Sequence, residues 1–316
     1  MALSIKDIVT PEFIKNTVVL GVDLTIDDGS PFPDYLFESA IDQAIAMVES
    51  EIGIVIDPRI FTEERHDADI QERYAQYPIH LDNLPLRSVE ELAIKIGTSD
   101  AATLPVQWIT INNHQTAKFN IIPSASTVGS LYFRSGIPLL VGDVFSAYTR
   151  FSSYFAVTYT AGFTFEEGTF TFPAGVKDFT LSLQNEFNVG RPLATFSLPG
   201  IRIIATGKNL LKLHLNTPLS VDTTVTYSVN DVDPMLVRAI SILASFLPLD
   251  VAGDLVAGAG IASKSIAIDS LSQFVGTTSS PENAGYSARV KQFQSELKGV
   301  LRALRAKYSR VNFWAR

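Results

Sequence analysis

The chain has 316 residues, 46% of them hydrophobic and only 18% charged, with no cysteine and a net charge of −8. The lack of cysteine excludes disulfides, thiolate nucleophiles and cysteine-based zinc sites. A chain this apolar and this poor in charge needs either large cores or apolar surface that meets other subunits. The length suits two modest domains, or one core domain with insertions.

Residues 1–33 read as an arm. Thr10 is placed to cap a short helix opening at Pro11, with Glu12 in its first turn. The stretch DDGSPFP at 27–33 then breaks regular structure. No signal-peptide apolar block follows the early Lys6 and Asp7. A helix is predicted over Asp34–Ile52, where Phe37, Ile41, Ala44, Ile45, Val48 and Ile52 make one apolar stripe. Gly53 closes it, and the acidic stretch beyond (Asp57, Glu63, Glu64, Asp67, Asp69, Glu72) reads as polar and exposed.

From residue 78 the period changes. Short runs rich in β-branched and aromatic residues alternate with Gly, Pro, Asn and Ser. Strands are predicted at 79–81, 89–96, 108–111, 118–122, 131–134 and 154–159. A second series follows at 169–172, 179–183, 194–198, 201–205, 210–215 and 224–228. Their spacing suggests a sandwich or barrel. Helices return at Asp233-Pro234, an N-cap and first helical position, with a stripe of Leu236, Ile240, Leu243, Ala244 and Leu247. Pro248 should end or kink this helix. Its most apolar run, 239–249, is too short to span a bilayer. Residues 254–280 are rich in small side chains. Ser280-Pro281-Glu282 signals another helical start, and residues 286–308 carry a near-heptad apolar pattern over roughly 34 Å of helix. The expected fold is therefore α+β: a small α-helical core with a large inserted antiparallel β region, sandwich- or barrel-like. It divides into an arm (1–33), a discontinuous helical core (34–77 and 233–308), a β domain (78–163), an additional β module (164–232) and a tail (309–316).

Motifs for chemistry are scarce. The stretch Gly258-Ala259-Gly260-Ile261-Ala262-Ser263 brushes the dinucleotide fingerprint but follows a helix and lacks the last glycine. The four histidines (His66, His80, His114 and His214) have no metal-ligand spacing. The pairs Glu63/Glu64 and Glu166/Glu167 point apart on a strand or helix and read as solvated. No catalytic residue, cofactor or metal is assigned, and the chain reads as a soluble non-enzyme without export or membrane signal. Charge is split: residues 286–316 hold eight basic residues against one acid, Glu296, and the remainder is net −15. This asymmetry suggests a polar partner for each end.

Three segments resemble head–tail connector (adaptor) proteins of tailed bacteriophages. The first is YLFESAIDQAIAMVESEIGIVID (35–57) with YPIHLDNLPLRSVEELAIKIG (77–97). The second is FAVTYTAGF (155–163). The third and most specific runs over residues 233–308, with AGDLVAGAGIASKSI, IDSLSQ and the GYSAR that opens the terminal helix. The resemblance covers about half the chain. It implies a small helical core with an extended loop, assembled as a homo-oligomeric twelvefold ring beneath the portal protein. Such a ring extends the DNA channel, lies near packaged double-stranded DNA without specific binding, and offers a platform to the next neck or tail protein. The implied location is the virion neck, after synthesis in the bacterial cytoplasm.

Carried onto this chain, the resemblance makes residues 258–272 the segment that reaches a neighbour. Gly258 and Gly260 would allow close backbone approach, and Ile261, Ile266, Ile268 and Leu271 would be buried in the subunit interface. An obligate ring interface is typically roughly 2,000 Å² or more. Arg302, Arg305, Lys307, Arg310, Phe313 and Trp314 would dock the portal. The long arm and residues 164–232 depart from the simplest family pattern. Alternatives are another neck, tail-completion or minor capsid protein, or a β-domain binding module, which exposed aromatic clusters in 164–230 would favour. A hydrolase with a spatially assembled triad would need a His beside a Ser in a pocket.

Overall fold

The computed structural model describes residues 3–22, 24–25, 30–67, 78–96, 99–121, 133–134, 137–138, 153–257, 263–268, 271–276 and 286–309. The chain divides into a helical unit, residues 1–52 and 233–307, and a strand unit, residues 53–232 and 308–316.

In the helical unit, α1 (Pro11–Thr17) starts where the sequence places it, with the Thr10 hydroxyl accepting from the Phe13 N–H at 3.1 Å. Helix α2 (Asp34–Ile52) buries Phe37, Ala40, Ile41, Ala44, Ile45 and Val48 and stops at Gly53, whose φ is +75°. Asp233 caps α3 (Pro234–Ala257): its Oδ1 accepts the Met235 N–H at 2.8 Å. Helix α4 (Ser287–Tyr308) buries Val290, Phe293, Leu297 and Leu304.

Two features of α3 refine the expectation. The helix runs through Pro248, which is buried and costs it one backbone hydrogen bond without ending it. Leu247 is 41% exposed, outside the buried stripe. Because the proline does not interrupt the helix, its apolar stretch Pro234–Ala252 is long enough to cross a membrane by length and composition. More than half of that stretch is buried inside the protein, the pattern of a core helix.

The strand unit is built of antiparallel sheets, none of which closes into a barrel among the described residues. One sheet has the order β1 (Arg59–Asp67), β9 (Ser153–Ala161), β3 (Leu86–Ile96), β4 (Ser99–Leu104). A smaller one joins β2 (Ile79–His80), β6 (Lys118–Ile121) and β5 (Ile109–Asn113), and β7 (Phe133–Arg134) pairs with β8 (Ile137–Pro138).

The sequence reading missed β1 and placed its residues with the helical core. β1 is an edge strand, and edges tolerate charge where central strands do not. Its apolar and aliphatic surface is supplied by Phe61, stacked on Tyr159 at 5.4 Å, and by Arg65 over the Tyr154 ring at 4.8 Å. A bulge between Phe61 and Glu64, with Glu63 at φ +53°, re-aims the strand at that point.

Residues 164–232 form a two-layer sandwich. One layer is β10 (Phe165–Phe172), β15 (Thr223–Asn230), β12 (Leu193–Phe196), and the other β11 (Asp178–Ser182), β14 (Leu210–Leu215), β13 (Ile201–Thr206). Strand alternation turns Phe172, Val225, Tyr227 and Val229 of the first layer onto Leu181, Leu211, Leu213 and Leu215 of the second. The aromatics of this module gather there as well. Phe170 lies 5.2 Å from Phe179 and 6.3 Å from Phe196, within the same core cluster.

A further hairpin, β16 (Ser263–Ile268) and β17 (Leu271–Gly276), follows α3 in the chain and precedes α4.

Candidate functional site

The hairpin carries three of the six residues assigned to subunit contact. Its register pairs Lys264 with Val275, Ile266 with Gln273 and Ile268 with Leu271. Paired residues share a face, and a strand repeats every two residues. By register, Lys264, Ile266, Ile268, Leu271, Gln273 and Val275 therefore hold the positions of one face, and Ser263, Ser265, Ala267, Ser272, Phe274 and Gly276 those of the other. Among the described residues each of the two strands is hydrogen-bonded only to its partner. Gly258, Gly260 and Ile261 lie outside the described residues.

The cations of α4 sort into two groups. Arg289 donates to the Val18 carbonyl at 2.6 Å and the Leu20 carbonyl at 3.3 Å, and its guanidinium lies 5.6 Å from the Phe293 ring centre. Arg305 is paired with the Glu51 carboxylate and donates to the Glu51 carbonyl at 3.2 Å. The Lys307 ammonium sits 2.6 Å from the nearly buried Asp233 carboxylate, at the start of α3. These three fasten α4 within the helical unit. Lys291, Lys298 and Arg302 are exposed, and their side chains make no hydrogen bond or ion pair among the described residues. Of the residues assigned to portal docking, Arg302 is thus free, Arg305 and Lys307 are engaged, and Arg310, Phe313 and Trp314 lie outside the described residues.

An open, mainly apolar hollow of about 510 Å³ lies between Ala46, Met47, Ser50 and Glu51 of α2, Leu243 of α3 and Leu301 of α4. Met47 is 57% exposed at its edge.

The strand unit contains three inward-facing carboxylates, Glu166 and Asp231 buried and Glu64 half-buried, that sequence reasoning either read as solvated or did not single out. Glu64 accepts from the Tyr159 hydroxyl, from the Asp82 N–H at 2.6 Å and from the Asn83 amide at 3.1 Å, and faces His66 Nε2 at 2.7 Å. Burial pushes its carboxyl up, but the bonds from His66, Tyr159 and Asp82 outweigh it and hold the group below the usual range. Glu166 is 5% exposed and has a similar set: Gln184 N–H at 3.0 Å, Asn185 N–H at 2.8 Å, the Asn185 amide at 3.1 Å and the Tyr227 hydroxyl at 2.9 Å. Burial and the Glu166 carboxylate push the Tyr227 phenol up to about 12. In both stations a strand carboxylate, a tyrosine from a paired strand and an asparagine clamp a loop. Arg87 Nη2 extends the Glu166 station by donating to Asn185 Oδ1 at 2.8 Å. These are structural clamps: all acceptors are engaged by backbone or neighbouring side chains.

The third carboxylate, Asp231, is 1% exposed and accepts from the Thr164 N–H at 2.7 Å and the Val189 N–H at 3.2 Å. Burial raises its pKa from 3.8 to about 6, against the opposing pull of those backbone donors. The folded state therefore holds this proton more tightly than the unfolded chain does. Its contribution to stability is complete below pH 3.8 and is lost as pH rises through 6. Lowering the pH from 7 to 5 should raise stability through this group by about 1 kcal/mol. Urea midpoints of the parent and Asp231→Asn at the two pH values check this, and the difference between the proteins should change with pH. Glu64 acts in the opposite direction and lower, its contribution being lost as pH falls below 4.5.

The histidines occupy distinct settings. His66 faces Glu64, His114 Nδ1 lies 2.8 Å from the Leu86 carbonyl oxygen, and His214 Nδ1 lies 2.7 Å from an Asp178 carboxylate oxygen. Burial lowers the His114 pKa, so its neutral form is favoured. No protein-family model matches the chain, and no curated protein matches it.

Proposed function

We propose that the chain is a structural assembly subunit, a head–tail connector that forms a ring beneath the portal of a tailed bacteriophage and carries the next neck or tail component. The observation that carries the reading is the β16–β17 hairpin. A two-stranded hairpin is marginal by itself in water. Its register puts Ile266, Ile268, Leu271 and Val275 at positions of a single face, with Lys264 and Gln273 among them, and no third strand is bonded to it among the described residues. Cover from a neighbouring copy would complete it, and a heterologous contact of this kind builds a ring where the rotation between copies closes. The helical unit, assembled from both ends of the chain, suits the core that the resemblance implies, and the sandwich of 164–232 is then an inserted module.

Size-exclusion chromatography with light scattering, with and without the portal protein from the same genome, tests the reading. A ring-sized species is expected, alone or on the portal. A strict monomer that ignores the portal sinks the proposal. Ile266→Asp combined with Ile268→Asp should weaken assembly by about a hundredfold or more, because buried interface anchors typically each carry about 2 kcal/mol. The circular dichroism of the variant should remain that of the parent.

A further inference from the structure

Helix α4 presents cations that the fold does not use. Its single acid, Glu296, is neutralised by the two-pronged guanidinium of Arg238, at 2.7 and 2.9 Å. Arg289, Arg305 and Lys307 are spent on contacts within the helical unit. Lys291, Lys298 and Arg302 remain, exposed and without intramolecular partners among the described residues. At about 100° per residue the three lie within about 40° of one another around the helix axis. At 1.5 Å per residue they are separated by about 10.5 and 6 Å along it. They form a straight cationic stripe about 16.5 Å long on a rigid rod.

The residues around the stripe decide what it fits. Ala288, Gln294, Ser295 and Ala306 share this side of α4 and are exposed. Arg305 shares this side as well, and its partner Glu51 of α2 is the carboxylate beside the stripe, already neutralised by that pairing; none of these residues is large and apolar. A protein interface draws its energy from aromatic or aliphatic anchors in a desolvated centre, and this face has none. Contacts to a phosphate backbone need only Lys and Arg, with small or hydrogen-bonding residues between them. Gly299 adds an independent observation. A side chain at this mid-helix position would meet nothing within 4 Å, so packing inside the chain does not require glycine there. Glycine in a helix interior costs about 0.5–1 kcal/mol relative to alanine, and it permits close approach to the backbone.

We propose that the Lys291–Lys298–Arg302 stripe is a sequence-independent contact for the phosphate backbone of double-stranded DNA. Duplex DNA carries one charge per roughly 1.7 Å of axis, so the stripe meets phosphates in any register. The inference does not rest on ring formation, because the three cations lie on one helix of one copy.

Fluorescence anisotropy of a labelled 30-base-pair duplex with the full-length protein, between 50 and 200 mM NaCl, tests it. The logarithm of the binding constant should fall against the logarithm of salt with a slope of about −2.7, the value for three neutralised phosphates. Replacing all three residues (Lys291→Gln, Lys298→Gln, Arg302→Gln) should lower affinity at 50 mM salt by at least about tenfold and flatten the slope. Gly299→Leu, which leaves the charge unchanged and favours the helix, should weaken binding severalfold without lowering the melting temperature. Unchanged binding by the triple variant overturns the proposal. So does a wild-type protein that ignores the duplex but binds poly-glutamate, since the stripe would then recognise acidic protein. A monomer that binds DNA through the stripe would sink the ring reading alone, and a ring indifferent to DNA would sink this one alone.

Discussion

Replacing Glu166 by alanine is expected to lower the unfolding free energy by about 3–5 kcal/mol. The side chain is 5% exposed and receives four hydrogen bonds, two from the backbone N–H groups of Gln184 and Asn185. Alanine leaves those two donors, the Asn185 amide and the Tyr227 hydroxyl without their acceptor. Each stranded buried donor costs about 1–3 kcal/mol, moderated where water can enter. Tyr227→Phe removes only the phenol, and the carboxylate keeps its three other bonds, so about 1 kcal/mol is expected. Urea denaturation followed by fluorescence measures both. A loss below 1 kcal/mol for Glu166→Ala would mean that the station is effectively hydrated and that the clamp assignment is wrong.

Gly162→Ala should be of similar size, about 3–5 kcal/mol, for an unrelated reason. Gly162 follows β9 with φ +123°, and its N–H donates to the Pro85 carbonyl at 2.9 Å. A Cβ there would stand 2.8 Å from Pro58 Cα and 2.9 Å from Pro58 N. Both obstacles are backbone, so no side-chain rotation relieves them. Gly53→Ala is the matched control. Its φ is +75° but a Cβ would meet nothing within 4 Å, so only the left-handed conformation is penalised, about 1–2 kcal/mol. Similar losses for the two variants would show that the Pro58 contact yields, and that backbone conformation alone sets the cost at Gly162.

The sequence made some of this architecture legible and concealed the rest for identifiable reasons. Helices α2 and α4 were readable because their apolar residues recur at helical spacing, and the start of α3 because Asp233-Pro234 is a cap followed by a first-turn proline. The sandwich strands were readable because β-branched and aromatic residues alternate between turn signals. Edge strand β1 was not, since six of its nine residues are Arg, Glu, His or Asp. β4, with the sequence SDAATL, has too little apolar character to declare itself before its pairing with β3 is known. The carboxylate stations show a subtler limit. Adjacent strand residues face opposite ways, so in Glu63/Glu64 and Glu166/Glu167 one member faces inward whenever the strand has a covered side. Glu64 and Glu166 face inward while Glu63 and Glu167 are exposed. Which member turns in depends on register, and at Glu64 on a bulge, neither of which spacing reveals. On α4 the cation count was legible, but its division into spent and free charges needed Glu51, Asp233 and the Val18 carbonyl to be in place.

The order in which the chain leaves the ribosome gives the division into two units a further consequence. Helix α2 packs on α3, yet 180 residues of strand unit, 53–232, are synthesised between them. At roughly 5–20 residues per second, Phe37, Ile41, Ile45 and Val48 wait roughly 10–35 s for their covering surface. The sandwich has all its strands by residue 230 and needs nothing from α3 or α4 to complete its ladders. The nascent chain therefore passes through a period with a finished β module and an uncovered amphipathic helix. In that period the α2 stripe is the segment a chaperone would meet first.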